Sequence, residues 1–317
     1  MGFTVAVLKK FFDDRGPNHG VEMAYWGFFS AFSLLLVFVA ILGFIFHGDP
    51  SFQRDVRDSV LREMPVIGQQ IGKSVGSLTG NVAAIAIGAG VALWTGLNFT
   101  LATADAFDRL WAVPRLDRRG FLSSRLRGLL LLVVIGAIVV AWTAIAGLAA
   151  EAQIQPALAQ AASLIASTGV GLLIFVACFR LLTAAPLTIR AVLPGAGVAA
   201  IAWLGLQALG SAYVAHVVKG SSDTYGGFAV VVGLLSWLFI GTQVTLIAAE
   251  VNVVLDRRLW PRALTGRLGS ADERALRDAA EAEQRDPRQR IAVTFEASVA
   301  PSGDGVGGAA ETEVSGR

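Results

Sequence analysis

The chain has 317 residues, 54% of them hydrophobic and only 16% charged, with a net charge of +2. Soluble domains carry about 25% charged residues, so this composition excludes an ordinary soluble fold, and the small net charge excludes a strongly basic nucleic-acid surface. A single cysteine, Cys178, lies in an apolar run and excludes both a disulfide framework and a cysteine metal site.

A bilayer is the solvent this composition fits. Residues 1–21 form a polar lead with Lys9, Lys10, Asp13, Asp14 and Arg15, broken at Gly16-Pro17-Asn18. This lead reads as a cytoplasmic juxtamembrane anchor. The first apolar run, Met23 to Phe46, is too long for the 7–15-residue core of a cleavable signal and is expected to stay in the mature protein.

Residues 48–80 are the longest connection. Phe52, Val56 and Val60 recur every four residues, opposite charges that pair as Arg54/Asp58 and Asp58/Arg62, which predicts a short amphipathic helix ending before Pro65 and lying on the external membrane surface. Beyond it Gly68, Gly72, Gly76 and Gly80 repeat every four residues. Each interior helix glycine costs about 1 kcal/mol relative to alanine, so the stripe predicts close helix packing; a flexible glycine-rich lead into the next span is the other reading.

The second span is predicted from Val82 to Thr103, with Thr95, Asn98 and Asp105 sharing a face at its end. The loop that follows carries Arg109, Arg115, Arg118, Arg119, Arg125 and Arg127 and is expected to be cytoplasmic. The third span covers Gly128 to Ala150, and the fourth covers Leu164 to Thr183 with Arg180 near its end. The fifth opens with Pro194 in its first turn, where a missing N–H is harmless. After the polar link Lys219 to Tyr225, the sixth runs from Gly226 to Val254. Runs of this length satisfy the ~20 residues needed to cross ~30 Å of hydrocarbon. In the sixth, Ser236, Gln243 and Glu250 recur at seven residues, nearly two helical turns, and so share a face expected to point away from lipid. Past Leu255 the chain becomes a charged tail, 261–317, with a charged helix predicted within 271–290 and disorder after 291.

Several segments together carry a family resemblance: MAYWGFFSAFSLLLV, ADAFDRLWAVPR, PLTIRAVLPGAGVAAIAW, TYGGF, LLSWLF and AAEVN. Over residues 20–260 the chain resembles the YihY/BrkB family, bacterial inner-membrane proteins long mislabelled ribonuclease BN. Ser33 stands where that family commonly has proline, Asp108 where it often has asparagine, and Ala248 where it usually has glycine. The resemblance implies a role in envelope integrity, with Glu250 and Asn252 as motif residues.

Charge distribution orients the chain. The lead, the 104–127 loop, the 180–193 region and the 257–267 segment hold 15 basic residues against 5 in the remaining connections. The positive-inside rule then predicts an all-α, polytopic protein of six transmembrane helices (22–260), both termini cytoplasmic, with the 48–80 segment outside. Asp105, Arg180 and Glu250 all arrive near the cytoplasmic ends of even-numbered spans. Intramembrane charges pair within a bundle or line a cavity, so Arg180 is expected to pair with Glu250 or Asp105, with Asn98, Gln243 and Asn252 nearby; residues snorkelling to water are the alternative.

His19 is expected on the opposite side of the bilayer from His47 and His216, which argues against a shared metal site. The chain has neither a G-x-S-x-G elbow nor a phosphate-binding P-loop motif. The expectation is therefore a non-enzyme without cofactor or metal. Its partners are membrane lipids and a lipid or small-molecule substrate, with no nucleic acid. Two functions remain open: translocation of an envelope lipid or precursor across the cytoplasmic membrane, or a non-transporting scaffold of the envelope.

Overall fold

The computed structural model describes residues 2–45, 82–151, 156–213, 219–262 and 269–295. These form eight helices and, among the described residues, no strand. In chain order they are α1 (Gly2–Asp13), α2 (Gly16–Ile45), α3 (Val82–Leu110), α4 (Phe121–Glu151), α5 (Pro156–Leu182), α6 (Ile189–Tyr213), α7 (Lys219–Asp256) and α8 (Ser270–Glu281). The all-α, polytopic architecture expected from composition is what forms.

Five helices, α3 to α7, contain stretches long and apolar enough to cross a membrane. The remaining expected span falls on α2, a helix of 30 residues. It runs through Ser33 without a break, as the absence of a proline there allows. The expected amphipathic segment 48–80, with Gly68, Gly72, Gly76 and Gly80, lies outside the described residues, as do His47, His216 and the tail from 296 onward.

Helices α2 and α3 pack most extensively, α7 packs on α1, α2, α3 and α6, and α6 also packs on α5. The apolar stretches of α4 and α5 are only 11% and 6% buried, so these helices form the lipid-facing flank. By contrast, Leu246, Ala248, Ala249, Glu250, Asn252, Val253 and Val254 are all buried, so the last turns of α7 are enclosed on all sides.

Several boundaries differ from expectation: α3 runs on to Leu110, α4 begins at Phe121 and α5 at Pro156. Helix α6 begins at Ile189, so Pro194 lies inside it and not in its first turn. The polar link Lys219–Tyr225 is helical and forms the start of α7. The glycine in that link costs the helix about 1 kcal/mol relative to alanine, and the long apolar run behind carries the helix through because extending a formed helix is far easier than nucleating one.

Helices α3 and α7 end alike. Ala112 (φ 47°) and Arg258 (φ 53°) adopt the left-handed conformation, and Val113 N–H donates to the Asp108 carbonyl at 2.8 Å as Leu259 N–H donates to the Val254 carbonyl at 3.0 Å. These closures satisfy carbonyls that a helix C-terminus leaves unpaired. They also bring two helix ends to one face of the bundle, called here the terminal face because α1 and α8 lie across it.

Candidate functional site

The lead, expected as a juxtamembrane anchor, is a helix with one buried face. In α1, Ala6, Val7, Lys10 and Phe11 are buried at the spacing of one helical face, while Leu8 and Phe12 point outward. This face packs on the end of α7. A lysine therefore sits within the apolar stripe of α1.

Lys10 is 5% exposed, and its ammonium has three neighbours. It donates to the carbonyl of Leu110, the last residue of α3, at 2.8 Å. Cations are favoured at helix C-termini, where carbonyls lack partners and the dipole is negative. It also donates to the Asp14 carboxylate, and it lies 3.4 Å from Oε2 of Glu250. Burial alone pulls the Lys10 ammonium down, but the charges of Glu250 and Asp14 outweigh it and leave it above the ordinary lysine value.

Glu250 is completely buried, and neither carboxylate oxygen has a hydrogen-bond donor. Its only ion-pair partner among the described residues is Lys10. Two residues on, and so on the opposite side of the helix, Asn252 is also buried, and its Oδ1 accepts the Gly195 N–H at 2.6 Å. Gly195 is required by this contact: a Cβ there would strike the Ala248 carbonyl and the Asn252 amide. The AAEVN segment thus places Glu250 toward α1 and Asn252 toward α6.

The charge pairing expected of Arg180 is corrected by the structure. Arg180 is exposed, its Nε donates to the Leu187 carbonyl at 3.1 Å, and it joins no ion pair among the described residues. Asp105 instead pairs with Arg109 at 2.9 Å and with Arg118 at 2.8 Å. Both partners are nearer in the chain, so the loop arginines reach Asp105 at lower entropic cost than a residue on another helix. Asn98 turns back to the Trp94 carbonyl of its own helix at 2.8 Å and takes no part in a cluster. Gln243 faces the start of α2, 3.4 Å from the Pro17 carbonyl, and Gly20 leaves room for it, since a Cβ there would meet the Gln243 amide. The heptad face of α7 does point inward at Gln243 and Glu250, as expected.

Three further polar residues organise the terminal face. Asp108, buried, accepts the Ala184 N–H at 2.6 Å and so ties α3 to the end of α5. Arg119 donates to the carbonyls of Leu181 and Leu182 at 2.8 and 3.0 Å, and to that of Thr183, capping α5. Arg262 binds Asp272 of α8 and Asp13, each at 2.8 Å, and Lys9 also reaches Asp272 at 2.9 Å. The charged helix of the tail is therefore docked on α1. The N–H groups of residues 115 and 116, in the connection after α3, donate to the carbonyls of Ala282 and Gln284 at 3.0 and 3.2 Å and so tie the end of α8 to that connection as well.

Among the described residues no group of three or more histidine, cysteine, aspartate or glutamate side chains is placed to hold a metal. What the site offers chemically is one ammonium shared between two carboxylates, with the inner carboxylate on a membrane-crossing helix.

A multi-pass helical membrane protein with a buried Lys–Glu pair at one end of its bundle is the class these features define. The Virulence factor BrkB family model matches residues 7–268, and the chain belongs to that family. The match begins within α1 and ends before α8. A curated relative from Bacillus subtilis (strain 168), bearing the name "Putative ribonuclease-like protein YfkH", is 22% identical over 282 residues, covering 81% of this chain and 96% of its own length. No solved structure matches.

Proposed function

We propose that the protein is a translocator of the bacterial cytoplasmic membrane that moves an envelope lipid or a small-molecule precursor, with both termini on the cytoplasmic side. The observation that carries this reading is the Glu250 carboxylate: fully buried on a membrane-crossing helix, without a hydrogen-bond donor, and 3.4 Å from the ammonium of a lysine on a separate helix. Ionisable groups in such positions are costly and typically mark substrate or ion pathways. A purely structural tie needs no charge there, since an apolar pair of the same volume is often at least as stable.

In this reading the Lys10–Glu250 pair is a gate at the terminal face. Parting α1 from α7 opens the bundle end to water and to an anionic or zwitterionic headgroup. The protein is not an enzyme in this scheme, because the site supplies neither nucleophile nor metal set. The name of the Bacillus subtilis relative therefore does not extend a ribonuclease activity to it.

The test is reconstitution into vesicles containing labelled lipids, comparing wild type with Glu250→Gln and Lys10→Gln. Movement of at least one lipid above the protein-free rate, lost in the variants, is expected. Equal movement with and without protein overturns translocation and leaves the scaffold role, which the interlocked Asn252–Gly195 contact favours.

A further inference from the structure

Three groups meet at the end of α7, and their charges do not balance. Lys10 brings one positive charge, Asp14 and Glu250 bring two negative ones, and the Lys10 ammonium is already committed to Asp14 and to the Leu110 carbonyl. Glu250 is left with an ammonium at 3.4 Å and with both oxygens otherwise unpartnered in full burial. An uncompensated buried charge costs several kcal/mol, so the arrangement calls for one more positive charge.

From this geometry, and resting on the translocator reading above, we propose that Glu250 and Asp14 form a proton-binding site around Lys10, and that translocation is coupled to proton uptake there.

A proton fits where a metal ion does not. The ammonium occupies the position a cation would take, and sodium or calcium would want about six oxygen ligands, whereas the oxygens here come from two carboxylates and one carbonyl. Lys10 keeps its own proton, because the two carboxylates hold its ammonium above the ordinary lysine value even against burial. The added proton therefore forms an O–H bond on a Glu250 oxygen, beside the Asp14 carboxylate that already accepts from Lys10.

An entry path is present as well. The Asp14 side chain is 15% exposed, whereas that of Glu250 is 0% exposed, so Asp14 stands between solvent and the inner carboxylate. The charged groups facing Glu250 are Lys10 of α1 and Asp14 of the following turn; α3 presents the Leu110 carbonyl. His19, at the start of α2, feels the charges of Asp14, of Asp105 and Arg109 on α3, and of Arg118 in the turn after it. A proton taken from water on this side passes to Asp14 and then to Glu250. Its arrival neutralises the carboxylate and completes the charge balance of the closed bundle end, and parting α1 from α7 rehydrates Glu250 and returns the proton to water.

The experiment has two arms. Infrared difference spectra of the purified full chain, recorded from about pH 5 to about pH 9, the range in which buried carboxyl groups titrate, are expected to show a buried carboxylic-acid C=O band that is absent in Glu250→Gln and displaced in Asp14→Asn. Absence of any titrating buried-acid band in the wild type, or its persistence unchanged in both variants, overturns the site. A band that follows sodium concentration at fixed pH overturns it in favour of a metal ion. In vesicles, a pH gradient of one unit, a factor of ~10 in proton activity, is expected to change the initial rate of labelled-lipid movement several-fold in wild type and to leave Glu250→Gln insensitive. Lipid movement indifferent to the gradient overturns the coupling. A titrating Glu250 band in a protein that moves no lipid supports the proton site while removing the translocator reading.

Discussion

The Lys10 ammonium, in the first helix, lies 3.4 Å from the Glu250 carboxylate near the end of α7, and both side chains are shut away from solvent. The first helix is thereby joined to the last of the membrane-crossing helices across the terminal face. Several consequences can be measured.

Removing one member of a buried ion pair leaves the other uncompensated, at a cost of about 3–5 kcal/mol. Lys10→Met is therefore expected to destabilise the folded protein by about 3 kcal/mol, since Lys10 also serves Asp14 and the Leu110 carbonyl. Combining it with Glu250→Gln should cost less than the sum of the single changes. Thermal unfolding in detergent, analysed as a double-mutant cycle, decides this; strict additivity would dissolve the pair.

Gly195 and Gly197 lie two residues apart in α6 and should respond in opposite ways. A Cβ at Gly195 meets the Ala248 carbonyl and the Asn252 amide, whereas one at Gly197 meets nothing. Gly195→Ala is expected to cost about 1–3 kcal/mol through overpacking. Gly197→Ala is expected to gain up to ~1 kcal/mol through helix propensity. Unfolding midpoints of the two variants in one detergent provide the comparison.

His19 is half-buried at the start of α2, and burial together with Arg109 holds its imidazole below its ordinary value of 6.5. The folded protein then binds this proton less tightly than the unfolded chain, so stability falls as pH drops below about 6.5 and levels off past the folded value. His19→Gln should flatten that part of the stability curve. A slope unchanged by the substitution would assign it to other groups.

Asp272 of α8 is fully buried and held by Arg262 and Lys9. Arg262→Gln is expected to loosen α8 from α1, and limited trypsin digestion at Arg274 and Arg277 should quicken at least several-fold. An unchanged cleavage rate would mean that α8 is held by other contacts.

Asp108 accepts the Ala184 N–H through a carboxylate oxygen. An amide oxygen can accept the same bond, so Asp108→Asn is expected to be tolerated, while Asp108→Ala leaves a buried N–H unpaired and should cost about 1–3 kcal/mol. Comparable losses from both substitutions would show that the charge itself matters.

Much of the architecture was written in one-dimensional patterns. Apolar runs longer than a bilayer is thick marked the helices, the seven-residue recurrence of Gln243 and Glu250 marked the inward face of α7, and the AAEVN segment marked Asn252. Such features depend on neighbours within one helix, whose geometry is fixed by 3.6 residues per turn. The helix boundaries were less legible, because the link Lys219–Tyr225 is polar by composition yet helical by attachment to α7.

The partner of Glu250 was not legible in that way. Arg180 sits at the right depth on an even-numbered span, but it turns to the Leu187 carbonyl, while Lys10 reaches Glu250 from outside the predicted spans. A hint existed in the lead itself, where Lys10 occupies the same face as Ala6, Val7 and Phe11.

By itself the sequence determined that this is a helical membrane protein and which face of α7 is buried, because hydrocarbon selects for length and periodicity. Only the tertiary structure decided which cation answers the buried glutamate. That choice depends on how α1 folds back at Arg15 to lie across the ends of α3 and α7, a contact between distant parts of the chain that no local pattern specifies.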